Sequence, residues 1–94
     1  MQFQHTDNGQ KGEFFLEDAQ GKRIAEISYL WSDEGKIIAD HTWVDDSLRG
    51  QGMARKLLDQ LVGFAREKQL KIIPTCSYVD VMFKRESSFA DVAA

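Results

Sequence analysis

At Gly50 the hydrophobic period of this chain changes from two to about 3.6, and the rest of the fold has to fit around that change. Upstream, Lys36 to Val44 alternates. Ile37, Ala39, His41 and Trp43 fall on one face and Ile38, Asp40, Thr42 and Val44 on the other, the pattern of a strand. Downstream, Ala54, Leu57, Leu58, Leu61, Val62 and Ala65 make an apolar stripe with Met53 and Phe64 at its edges. Arg55, Lys56, Asp59, Gln60, Arg66 and Glu67 face away, which predicts an amphipathic helix over Gly50 to Gln69. The passage between them, Asp45 to Leu48 and then Arg49-Gly50-Gln51-Gly52-Met53-Ala54, is a glycine turn. Such a turn leaves backbone N–H groups uncovered by any Cβ at the positive end of a helix dipole, a seat for a phosphate or pyrophosphate.

The remaining segments are short. Residues up to Gly12 are polar and predict a lead-in, with at most a fragment of strand at Phe3. Glu13 to Glu17 reads as a strand, Asp18 to Lys22 as a turn, and Arg23 to Trp31 as a second strand. On that second strand Ala25, Ile27, Tyr29 and Trp31 oppose Ile24, Glu26, Ser28 and Leu30. Ser32 to Gly35 turns the chain into Lys36–Val44. After the helix, Leu70 to Ile73 predicts a buried strand stopped by Pro74. Ser77 is the predicted N-cap of a final helix, Tyr78 to Arg85, and the segment from Glu86 is expected to fray, with Phe89 tucked back. Gly63 costs the long helix about 1 kcal/mol of propensity, which predicts close packing there. The order β-β-β-α-β-α is an α+β layered fold: a three-strand antiparallel meander, a crossover helix, a strand parallel to Lys36–Val44, and a C-terminal helix.

Composition excludes several classes. Ninety-four residues at 43% hydrophobic suit one globular domain, 1–94. A formal net charge of −3 argues against a nucleic-acid surface, although local donors suffice for a small polyanion. Cys76 is the only cysteine, so no internal disulfide and no cysteine metal cluster is expected. The first residues lack the basic and apolar regions of a signal peptide, no apolar run approaches a membrane span, and a cytoplasmic setting is expected.

The turn is neither a Walker A loop, since no Gly-Lys-Ser/Thr follows, nor a dinucleotide fingerprint, since Arg55 stands where a third small residue belongs. It fits Arg/Gln-x-x-Gly-x-Gly/Ala. Together with His41-Thr42-x-Val44, Gly50-x-Gly52-x-Ala54-x-x-Leu57 and Ile73-Pro74-x-Cys76-x-Tyr78-Val79, it resembles the GCN5-related N-acetyltransferase (GNAT) family, in particular its small YjdJ-type members. The resemblance covers about Glu13 to Phe89. It implies a minimal GNAT-like fold that binds acetyl-CoA, with the pyrophosphate on the loop Arg49, Gly50, Gln51, Gly52, Met53, Ala54 and Arg55. The pantetheine arm would run along the strand edge at Thr42, Trp43 and Val44, and Cys76 and Tyr78 would border the acyl end. No metal is implied.

Two departures from the family bear on chemistry. The pair of helices that larger relatives carry between their first two strands is missing, so the acceptor is a large molecule such as a protein or peptide, or a second subunit completes the site. Where larger relatives place a tyrosine that protonates the leaving thiolate, Phe83 stands, with Cys76 at the position of their asparagine. Amine acylation needs a base and an acid. His41 is the candidate base, with a buried core imidazole as the plain alternative, and Asp40 reads as solvated surface. Cys76 beside a helix start is a candidate acid or acyl acceptor, against a small buried apolar residue. Trp31 and Trp43 read as core or sheet-face residues. The expectation is an acetyl-CoA-dependent N-acetyltransferase of an unspecified amine, peptide or protein; the alternatives are a non-catalytic acyl-CoA-binding or sensing module and an interaction domain with a vestigial loop.

Overall fold

The computed structural model describes residues 2–94. Five strands form one sheet in sequential order: β1 (Gln4–Asp7), β2 (Lys11–Glu17), β3 (Arg23–Trp31), β4 (Lys36–Val44) and β5 (Lys71–Pro74). Pairing is antiparallel from β1 to β4, and β5 lies parallel to β4. The crossover between β4 and β5 is helix α1 (Met53–Lys68), and α2 (Ser77–Arg85) follows β5. Both helices pack into one core with Phe14, Leu16, Ile27, Tyr29, Ile37, Ala39 and Ile72 of the sheet. This is the expected layered α+β fold with one strand more than expected.

That extra strand is β1. All four of its side chains are exposed, so no alternation marks it. It is held by backbone pairing to β2 and by the His5 ring, which stacks on Phe14 at 4.1 Å. Its pairing also starts β2 at Lys11, two residues before the expected Glu13.

Two register shifts break the period of two. Between Leu16 and Glu17 of β2, Ile24 of β3 is left unpaired, and Ile24 and Ala25 both enter the core. Between Ser28 and Tyr29 of β3 the pairing jumps from His41 to Ala39, leaving Asp40 as the bulged residue. Before the bulge Ile37 and Ala39 face the helices, as read from the sequence. After it, Thr42 opposite Ile27 and Val44 opposite Ala25 take the helix side. His41 opposite Ser28 and Trp43 opposite Glu26 turn to the far face. The expectation that His41 shares a face with Ile37 and Ala39 is thereby corrected: a one-residue insertion inverts every side chain beyond it. No helix covers that far face among the described residues.

The helix ends also differ in detail. Gly52 N-caps α1 in the left-handed region (φ +68°), and Gln69 closes it at φ +59°. In α2 the N-cap is Cys76 instead of Ser77, because Cys76 is extended and its carbonyl accepts the Asp80 N–H at 3.0 Å. Past α2 the chain does not fray. Phe89 and Val92 are buried, and Ile72 of β5 donates to Val92 O at 2.6 Å and accepts from Ala94 N at 3.0 Å. The free edge of β5 is covered by the chain itself.

Gly63 is likewise corrected. A Cβ built on it meets nothing within 4 Å, so no packing within the chain calls for glycine. Gly63→Ala is expected to raise unfolding free energy by about 1 kcal/mol and Tm by about 4–8 °C, read by thermal denaturation; an unchanged or lower Tm would contradict the open environment.

Candidate functional site

The site is built where β4 hands over to α1. Asp45 ends the strand and caps a 3-10 turn, Asp46–Leu48, by accepting from the Ser47 hydroxyl at 2.6 Å and the Ser47 N–H at 3.0 Å. These two bonds hold its carboxyl below the usual range. Gly50 (φ +81°) and Gly52 (φ +68°) then take left-handed conformations, and the space beside each is open. Glycine is present here for its backbone and for the room it leaves, not for close packing against the chain. No side chain caps α1, and no acidic residue stands in its first turn. Lys56 N–H is the first in the helix to find a carbonyl, Gly52 O at 3.2 Å, so the N–H groups of Met53, Ala54 and Arg55 point outward toward an anion seat.

The loop's side chains play smaller parts than its backbone. Met53 is buried in the core and offers the loop only its N–H. Arg49 is exposed and paired with Asp46 at 3.0 Å. Arg55 reaches away from the loop, to Asp59 at 3.0 Å and Glu86 at 2.6 Å, and lies 4.9 Å over the Phe89 ring. It clips the segment after α2 to α1.

Beside the loop, β4 and β5 part company. Their pairing ends at Ala39 opposite Pro74, where Ala39 O accepts from Cys76 N–H at 2.8 Å and from the Thr75 hydroxyl at 3.0 Å. Pro74 supplies no donor, and α2 starts three residues after it, so β5 cannot follow β4 further. Asp40 to Val44 continue beyond the fork with β3 on one side and no strand on the other among the described residues. An amide-bearing chain can pair with such an edge.

Cys76 sits in the fork, partly buried, its sulfur 3.3 Å from the Thr42 hydroxyl. Tyr78 is partly buried nearby, and burial pushes its phenol up, with Arg55 opposing. Phe83 turns from the fork to pack on Phe89, ring centroids 5.4 Å apart. His41 is on the other side of the same strand, its side chain 55% exposed with Nε2 3.7 Å from Glu26 Oε2. Asp40 is exposed, as expected of solvated surface, and also accepts a 2.7 Å hydrogen bond from Ser28. Trp43 is 38% exposed on that far face. The structure brings Thr42 and Cys76 together and sets His41 on the opposite face of β4.

Sequence reasoning missed Glu26 beside His41 and Lys56 beside the loop. Lys56 lines a cleft of about 300 Å³ with Phe3, Leu16, Gln51 and Met53. A basic residue just past a glycine turn was the available signal for Lys56. For Glu26 there was none, because the contact depends on the bulge. No group of three or more His, Cys, Asp or Glu is placed to hold a metal among the described residues, and none of their helices is long and apolar enough to cross a membrane.

Comparison with known proteins agrees with this geometry. Residues 13–92 match the family model described as GCN5-related N-acetyl-transferase. A Staphylococcus aureus protein described as GCN5-like, solved by NMR, is 39% identical with a TM-score of 0.79, over 99% of this chain and 87% of that one. At 19% identity, a ribosomal-protein-alanine N-acetyltransferase from Brucella melitensis superposes with a TM-score of 0.63, over 94% of this chain and 66% of its own. Nourseothricin acetyltransferase, 18% identical, gives 0.61 over 84% of this chain and 50% of its own. At those identities the likeness is one of fold, and the chain spans half to two-thirds of these larger proteins. No curated protein sequence matches it. Loop, fork and family model agree: this chain belongs to the GCN5-related N-acetyltransferase family.

Proposed function

We propose that this protein binds acetyl-CoA and transfers its acetyl group to an amine. One juxtaposition carries the reading: an uncapped, acid-free helix N-terminus opened by two positive-φ glycines stands beside five residues of unpaired strand edge, Asp40 to Val44. The residues fit the cosubstrate. The N–H groups of Met53 to Arg55 suit its pyrophosphate, that of Gln51 being turned to Leu48 O at 3.4 Å. The β4 edge suits the amides of its pantetheine arm, and Thr42 and Cys76 flank the end of that path. Acetyl-CoA supplies an activated acyl group. The chain supplies alignment and proton handling.

The reaction forms an N–C bond, breaks the C–S bond, removes a proton from the acceptor ammonium and returns one to sulfur. His41, solvent-accessible on the helix-free face, is the group placed to take the first proton. The Cys76 thiol, on the helix side of the fork, is placed to give the second, with the Tyr78 phenol as the neighbouring hydroxyl. Acceptor nitrogen and leaving sulfur share one carbonyl carbon, so both groups serve a single centre at the free edge of β4, approached from its two faces. The exposed far face fits a peptide or protein acceptor that brings its own wall, and a cytoplasmic setting follows from the cosubstrate.

A second reading has its own observation. Phe83 is committed to packing on Phe89 and carries no proton, which suits a module that holds acyl-CoA without turning it over. In that reading Cys76 accepts the acetyl group by thioester exchange, its S–C bond forming as that of CoA breaks and its proton passing to the CoA sulfur.

Calorimetry with acetyl-CoA and CoA tests binding; no heat at sub-millimolar ligand would refute both readings. Intact-mass measurement after incubation with acetyl-CoA separates them. Turnover on a panel of amines and peptides, reduced at least tenfold in His41→Ala, supports transfer. A single acetyl adduct abolished by Cys76→Ala, without amine turnover, supports the module.

A further inference from the structure

At the far end of α1, about three turns from the glycine loop, the structure holds a feature that acyl transfer does not use. A cleft of about 650 Å³ opens between the end of the helix and the sheet, walled by Trp31 and Phe64 with ring planes at 72°. Its floor is a hydrogen-bonded chain. His5 Nε2 lies 2.7 Å from the Tyr29 oxygen, the Tyr29 hydroxyl donates to Asp7 at 2.6 Å, and Trp31 Nε1 donates to the same carboxylate at 2.9 Å. These donors, with Gly9 N–H, keep Asp7 ionised against its partial desolvation. The chain exists only because residue 12 is glycine, since a Cβ there would stand 2.2 Å from the Tyr29 ring.

A second cleft of about 380 Å³ adjoins the first on the other side of Phe64, lined by His5, Phe14, Gln60, Gly63 and Glu67. Here the unexplained glycine of α1 has a use. Gly63 weakens the helix, touches nothing in the chain, and leaves the floor of this groove bare. Two carboxylates face the paired clefts without an ion-pair partner among the described residues, Asp7 and Glu67, against one ammonium, Lys68. Asp59 at the rim is already paired with Arg55.

We propose that this groove is a binding site for a small organic cation, an ammonium or guanidinium on an apolar body, seated against Trp31 and Phe64 with its charge toward Glu67 and Asp7. Aromatic walls attract a cation through their negative faces, and the two carboxylates outweigh Lys68. The site stands independently of acetyl-CoA binding, at the opposite end of the helix.

Phenethylammonium and 3-phenylpropionate, alike in ring and opposite in charge, are the probes, read by amide and indole N–H shifts in two-dimensional NMR with Trp31 assigned through Trp43→Phe. Phenethylammonium is expected to shift Trp31, Gly63 and Phe64 saturably, in the millimolar range natural to so small a ligand, and Glu67→Gln to weaken it about threefold. Trp31→Ala takes away a wall of the first cleft and should abolish the Gly63 and Phe64 amide shifts, whereas Gly63→Leu, which fills the second cleft on a helix that has room for the side chain, should raise Tm. Equal shifts from the anion, binding retained in Trp31→Ala, or no saturable shift from the cation would each overturn the assignment. Shifts of the Gly50 and Gly52 amides with CoA report separately on the loop.

Discussion

Gly52→Val is expected to lower acetyl-CoA affinity at least tenfold while the protein stays folded, with a stability loss of about 2 kcal/mol. The two effects have separate origins. At φ +68° a β-branched residue is strained whatever its surroundings, and that strain is paid in the unliganded protein. No atom lies within 4 Å of the new Cβ, so the side chain fits and the core is untouched. Its consequence appears only when a pyrophosphate has to approach the N–H groups of Met53 to Arg55. Gly21→Val is the matched control, at φ +83°, equally open and in the hairpin turn before β3. It should lose similar stability and keep full affinity. Calorimetry on the pair decides the matter: similar affinities in both variants would show that the loop does not hold the phosphates.

The largest loss of stability is expected at Gly12. A Cβ there would lie 2.2 Å from the ring and hydroxyl oxygen of Tyr29, which is fully buried and cannot swing out. Gly12→Ala therefore forces the ring off its seat and breaks the contacts to Asp7 and His5, at a cost of about 3 kcal/mol or more by urea denaturation. In a Tyr29→Leu background the same substitution should cost far less, since the colliding atoms are gone; the non-additivity measures the clash. A loss below about 1 kcal/mol for the single variant would show that the strand accommodates a methyl group.

What could be read in the sequence was what repeats. The bounds of β3 and β4, the existence and C-terminal end of α1 and the parallel placement of β5 all follow from periodicity over nine or more residues or from the crossover rule. The start of α1 does not: it lies at Met53 and not Gly50 because both glycines take positive φ. Gly50 and Gly52 were legible because a strand-to-helix turn needs positive φ. The sequence was silent where a single residue changed the count. At Asp40 the period of two slips once, so counting put His41 and Trp43 on the face of Ile37 and Ala39, and Thr42 on the opposite one. β1 was hidden because an edge strand with every side chain in water carries no alternation. Past α2 the tucked Phe89 was legible, but the order of the chain around it was not, because Val92 is an isolated apolar residue whose backbone partner, Ile72, is distant in sequence.

The bulge at Asp40 also changes which mutations this architecture can bear. A substitution at Asp40 alters one hydrogen bond to Ser28 and leaves the strand's phase alone. Deleting a single codon there would restore perfect alternation. Ala39 opposite Tyr29 would then join His41 opposite Ser28 directly, so His41 and Trp43 would stay on the open face and Thr42 and Val44 on the helix side. The extra residue therefore bends the strand at the fork without choosing which side chains line it, and the chain keeps that lining whether position 40 is altered or dropped.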